Sequence, residues 1–169
     1  MFKVGDTVVH PDYGAGVVTD VKDIAFLGNE KKRYYSIELL SQRETTVMVA
    51  VRNEEKVGLR SPIAGPKLQR LWRILRAGPR TLPSDHNKRY ALLKEKLQDG
   101  DILELAKVLR DLAWRQEERQ GLTMRGKRLY EESLELLASE VAGAQGSEFD
   151  IAEAQISDRL AASIADAAV

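Results

Sequence analysis

At 169 residues the chain has room for one domain or two small ones, and 43% hydrophobic with 31% charged residues is ordinary globular composition. Zero cysteines exclude disulfides, thiolate metal sites and a cysteine nucleophile. No apolar run reaches bilayer length and the start MFKVGD does not read as a signal peptide, so a cytoplasmic protein without a membrane partner is expected.

The first 60 residues read as β structure. Thr7-Val8-Val9, Val17-Val18, Tyr34–Ile37 and Thr45–Val49 are β-branched or aromatic runs, punctuated by turn residues at Gly5-Asp6, Pro11–Gly14, Gly28-Asn29 and Arg52-Asn53. Strands this short and closely spaced predict a small twisted barrel. Gly14 and Gly16 suggest a tight turn or a bulge; no strand–loop–helix context with Lys-Ser/Thr follows to make them a phosphate cradle.

Beyond residue 60 the periodicity becomes helical. Leu68, Leu71, Trp72 and Leu75 recur on one helical face beside Lys67, Arg70, Arg73 and Arg76, with Pro66 suited to the first turn and Gly78-Pro79 ending the segment. Ser84 or Asp85 can cap a second basic helix. Asp101 opens a third helix that Gly121 stops, Thr123 opens a fourth, and Gly143–Gly146 reads as a break. Asp150 is then placed to cap an alanine-rich last helix with Ile151, Ile156, Leu160 and Ile164 inward. Having the least side-chain volume to bury, that helix is expected to be mobile. The overall expectation is an α+β chain: a β domain over 1–61 and a helical domain over 62–169, of which 143–169 form an acidic, mobile end.

Charge is sorted along the chain although the total is zero. Residues 66–97 hold nine basic and two acidic groups, and residues 131–169 hold one basic and nine acidic. A basic surface of this size suits phosphate, since phosphate contacts dominate such footprints. The acidic end either screens that surface or simply keeps the protein soluble. Trp72 and Trp114 are expected in packing roles. Tyr34 and Tyr35, adjacent on a strand, face opposite ways and cannot both line an aromatic cage. His10 precedes Pro11 and is expected at a turn or the surface. The two histidines lack partners at metal-ligand spacing, and nothing marks an activated nucleophile. Neither metal, cofactor nor enzymatic activity is expected.

The opening FKVGDTVVHPDYGAGVV, VGLR at 57–60, KRY at 88–90 and VLRDLAWRQEERQGLT at 108–123 together resemble the CarD/CdnL family of bacterial transcription regulators, from residue 2 to about residue 142. The same β domain occurs in the transcription-repair coupling factor, but no helicase motifs follow here. The resemblance implies a Tudor-like β-barrel that docks a strand edge on the β subunit of RNA polymerase. It also implies a helical domain that contacts promoter DNA at the upstream edge of the bubble and stabilises the open complex. On that basis Arg43, Thr46, Met48 and Arg52 are the expected polymerase contacts. His86, Lys88, Arg89, Arg80, Lys94, Arg125 and Lys127 are the expected DNA contacts. Family members carry a Trp wedge where this chain has His86, a smaller ring with less apolar surface. A monomer is expected. A protein–protein adaptor whose basic helices bind an acidic partner is the alternative.

Overall fold

The computed structural model describes residues 1–168. Four strands run as an antiparallel meander in sequence order: β1 (Thr7–His10), β2 (Gly14–Ile24), β3 (Lys32–Leu39) and β4 (Thr46–Ala50). The β-branched runs mark their centres. Alternation sends Val8, Val18, Tyr35, Ile37 and Val49 inward around Leu59. The ladder slips between Val18 and Asp20, so the bulge falls at Thr19 rather than among the glycines. β1 and β4 are opposite edges and do not pair, so the expected barrel is an open sheet. Four strands, two of them only four and five residues long, are too few to close a ring. Beyond β1 the edge continues only as a bridge between Val9 and Arg60.

A 3₁₀ turn (Val51–Asn53) leads into six helices: α1 (Glu54–Val57), α2 (Gly65–Arg76), α3 (His86–Gln98), α4 (Ile102–Arg119), α5 (Met124–Gln145) and α6 (Phe149–Ala167). Side chains cap three starts: Asp85 accepts from the Lys88 amide, Asp101 from Leu103 and Thr123 from Gly126. The stop after α4 lies one residue early, with Gln120 itself in the left-handed conformation. Leu71, Leu75, Leu105, Leu109, Leu137 and Val141 build the helical core. A smaller cluster of Leu93, Val108, Leu112 and Leu129 seats α3 against α4 and α5.

The last helix differs from its sequence reading in two respects. Glu148, not Asp150, holds the N-cap position, and it makes no side-chain cap; Asp150 lies in the first turn. Ile151 faces solvent, whereas Ala152, Ile156 and Leu160 are buried in the main helical core. Gly143 is no break either, for α5 runs through it and ends at Gly146. A Cβ at Gly143 would lie 3.0 Å from Thr7 Cγ2 and 3.4 Å from Ala15 Cβ, so this glycine lets α5 approach the sheet closely.

That approach builds a joint between sheet and helices. The buried carboxylate of Glu140 accepts from Arg60 Nη1 at 2.6 Å, from Arg60 Nη2 at 2.8 Å and from the Ile63 amide at 3.0 Å. One residue earlier, Ser139 Oγ accepts from the Ala15 amide at 3.0 Å. Gly14, at φ +82°, leaves room for that hydroxyl, because a Cβ there would sit 2.4 Å from Ser139 Oγ. The two glycines around Ala15 are thus packing devices: a Cβ on Gly16 would meet Ile37 at 2.5 Å and the Glu38 carbonyl at 2.7 Å.

Candidate nucleic-acid interface

Nine residues, 77–85, connect α2 to α3, and arginines from the basic stretch pin both ends of this loop. Arg80 donates through its amide to Asp111 Oδ1 (3.0 Å), through Nε to Asp111 Oδ2 (2.8 Å) and through Nη1 to Glu104 (3.1 Å). Asp111 is buried and also accepts from Arg110. Hydrogen bonds from Lys107 and Arg80 hold Glu104 below the usual carboxylate range, against the opposing effect of partial burial. At the far end Arg89 is buried. Its Nη1 donates to the carbonyls of Pro83 and Ser84, both at 3.2 Å, and its Nη2 lies 3.3 Å from His86 Nδ1. With the guanidinium as donor, Nδ1 is the accepting nitrogen of His86.

Arg80 and Arg89 are among the DNA contacts that the resemblance implies, and the fold also gives both a bracing task. Arg80 is matched by two carboxylates, and Arg89 turns inward onto loop carbonyls. What they brace is the start of α3, where His86 and Lys88 are exposed. Lys94 Nζ lies 5.7 Å from the centre of the Tyr90 ring, and the Arg125 guanidinium lies 5.0 Å from the same centre. Tyr90 therefore brings a cation of α3, Lys94, and one of the first turn of α5, Arg125, to the same ring, and Lys127 is exposed on that end of α5. Among the described residues none of Lys88, Lys94, Arg125 and Lys127 has a carboxylate within ion-pair distance.

The basic row of α2 is not part of this group. α2 packs on α4 and α6, whereas α3 packs on α4 and α5, so the two basic helices flank α4 rather than each other. Trp72, on α2, is half-buried against the helical core with the Arg159 guanidinium 4.3 Å from its ring. Trp114 is half-buried on α4, its Nε1 enclosed without a partner. His10 is buried rather than exposed: its Nδ1 accepts from the Asp12 amide and its ring tilts against Tyr13 at 4.8 Å. Burial lowers its pKa from the ordinary imidazole value, with Asp12 opposing.

Charge counting overlooked Arg115 and Arg119. They stand one turn apart near the end of α4, and the signal was the RQEER run just before a glycine stop. With Arg89 and His86 they line a cleft of about 340 Å³ between α3, α4 and α5.

In the sheet, β4 pairs with β3 alone. Thr46 and Met48 are exposed on one face of β4, while Val49 on the other face is buried in the sheet core. Met48 Sδ accepts from Ser36 Oγ at 3.3 Å. Arg43, in the β3–β4 loop, is paired with Glu148 at the start of α6. Arg52 is exposed in the 3₁₀ turn after β4.

A sheet with an unpaired edge, joined to a helical body with an unpaired cationic end, has the make-up of a binding protein with two separate contact surfaces. Its two halves match known families: the CarD-like/TRCF RID domain over residues 2–63 and CarD, C-terminal domain, over residues 70–157. A protein of Bacillus subtilis (strain 168) named "Putative transcription factor YdeB" is 30% identical over 146 residues, which are 86% of this chain and 94% of that protein. The chain belongs to the CarD-like family of transcription factors, and membership makes it a transcription regulator, not an enzyme. No helix among the described residues is long and apolar enough to cross a membrane.

Proposed function

We propose that this protein joins RNA polymerase to promoter DNA and stabilises the open complex. The β domain, residues 1–61, engages the polymerase β subunit by strand addition at the β4 edge. Main-chain hydrogen bonds supply affinity there, and Thr46 and Met48, on one face of β4, supply side-chain contacts. Residues 62–169 hold the DNA, with Lys88, Lys94, Arg125 and Lys127 on backbone phosphates and His86 against the upstream edge of the bubble. The observation that carries this reading is the set of exposed cations on α3 and the start of α5 without a carboxylate partner among the described residues, in a chain whose net charge is zero. Phosphate contacts position without reading bases, so sequence preference is slight. Tethering to polymerase raises the effective DNA concentration, so modest affinity suffices, and the regulator works as a cytoplasmic monomer.

Two variants test the division of labour. Met48→Glu places a charge on the exposed face of β4 and should abolish polymerase pull-down while leaving DNA binding intact. Lys88→Ala with Arg125→Ala should do the reverse. His86→Trp adds apolar surface at the wedge position and should lengthen the open-complex lifetime. If Met48→Glu binds polymerase normally and the double variant does not, the roles are assigned to the wrong halves.

A further inference from the structure

Five arginines of this chain are paired with an acid. Arg60 has Glu140, Arg80 has Asp111 and Glu104, Arg110 has Asp111, Arg33 has Asp23 and Arg43 has Glu148. Arg115 and Arg119 are not among them, for neither has a carboxylate within ion-pair distance among the described residues. Both line the cleft between α3, α4 and α5 with Arg89 and His86, and no acidic side chain lines it. The rest of its lining includes the apolar side chains of Leu93, Leu112, Leu122 and Leu129 together with Tyr90, Ser84 and Thr123. Low-dielectric walls strengthen both the mutual repulsion of the guanidiniums and their attraction for an anion. Burial first, and then the charges of Arg89 and Arg119, push the Arg115 pKa down. Arg115 and Arg119 also line an adjoining cleft shared with Glu118 and Asp111, and Glu118 opposes the lowering of the Arg115 pKa. Asp111 is already taken by Arg80 and Arg110.

We propose that the cleft is a phosphate seat, in which the guanidinium forks of Arg115 and Arg119 grip one phosphate group beside the apolar side chains. A planar fork matches phosphate oxygens two at a time, which an ammonium does not. At about 340 Å³ the cleft also holds more than the phosphate itself. The same chemistry is offered by the backbone of a nucleic acid and by a free nucleotide. In the first case the inference rests on the DNA-binding reading and extends it onto α4.

The test uses the full chain carrying Arg115→Gln with Arg119→Gln. Two readouts are taken: the salt dependence of affinity for a short duplex, and the thermal shift produced by pyrophosphate or ATP. A fall of about one in the log–log salt slope identifies a backbone phosphate. Loss of the thermal shift, with the duplex slope unchanged, identifies a free nucleotide. Arg115→Lys with Arg119→Lys keeps the charge without the fork. It should show the same losses at smaller amplitude, and it serves should the glutamine pair fail to fold. If neither readout moves while Lys88→Ala with Arg125→Ala still lowers the slope, the seat is refuted and the DNA-binding reading stands. Should those lysine and arginine variants be silent too, both ideas fall together.

Discussion

Two ends of α5 treat charge in opposite ways. Near its C-terminus, Glu140 is buried against Arg60 and the Ile63 amide, and every charge in that joint is answered. At its N-terminus Arg125 and Lys127 face solvent, Arg125 sharing the Tyr90 ring with Lys94, and none of these charges has a carboxylate within ion-pair distance among the described residues. Matched charge in a closed site fixes geometry, because losing either partner strands the other without water. Unmatched charge at the surface contributes little to the fold and remains available to a ligand. The difference separates the residues that hold the molecule together from those that meet its partners, although the residue types are the same.

The largest effect should come from breaking the matched end. Glu140→Ala strands Arg60 and the Ile63 amide and should cost about 3–5 kcal/mol in urea unfolding; a loss under about 1 kcal/mol would erase the contrast. Gly14→Ala attacks the same joint from the sheet. It forces a side chain into left-handed backbone and displaces Ser139 Oγ from the Ala15 amide, for about 2 kcal/mol. Asp85→Ala removes the cap that starts α3 and should cost about 1 kcal/mol, read as a lower thermal midpoint.

A smaller effect is expected from pH. Burial lowers the pKa of His10 from its ordinary 6.5, so on acidification the unfolded chain takes up this proton first. The stability contribution is whole above the ordinary value and is lost as pH falls toward the lowered one. Thermal midpoints between pH 7.5 and 5.5 should therefore decline, and His10→Gln should flatten that decline. The least change in stability belongs to the unmatched end. Lys88→Ala with Arg125→Ala should stay within about 0.5 kcal/mol of the parent protein. The same pair should lower the log–log salt slope of DNA binding by about two.

The strands, the helix caps at Asp85, Asp101 and Thr123, and the leucine faces were all legible in the sequence, because each is a local pattern. The ends of the loop between α2 and α3 were not. Arg89 stands three residues from His86 and looks like another cation of the same row, yet it turns inward onto the carbonyls of Pro83 and Ser84. Glu140 reads as one more acid in an acidic tail, since its partner lies 80 residues away in sequence. Counting charge along a chain sees neighbours and is blind to such pairs. Gly143 misled for a related reason: glycine suits a break and a close approach equally, and only the sheet lying against α5 decides between them.

The length of α5 acts as a ruler. Fifteen residues separate Arg125 from Glu140 within one uninterrupted helix, or about 22 Å at the helical rise of 1.5 Å per residue. The joint at one end and the exposed cations at the other are therefore held at a set spacing and a set rotation about one axis. Insertion of a single residue between them would turn one end relative to the other by about 100°, a whole face of the helix, with little change in length. The two surfaces would each survive such an insertion and no longer address the same partner assembly at once.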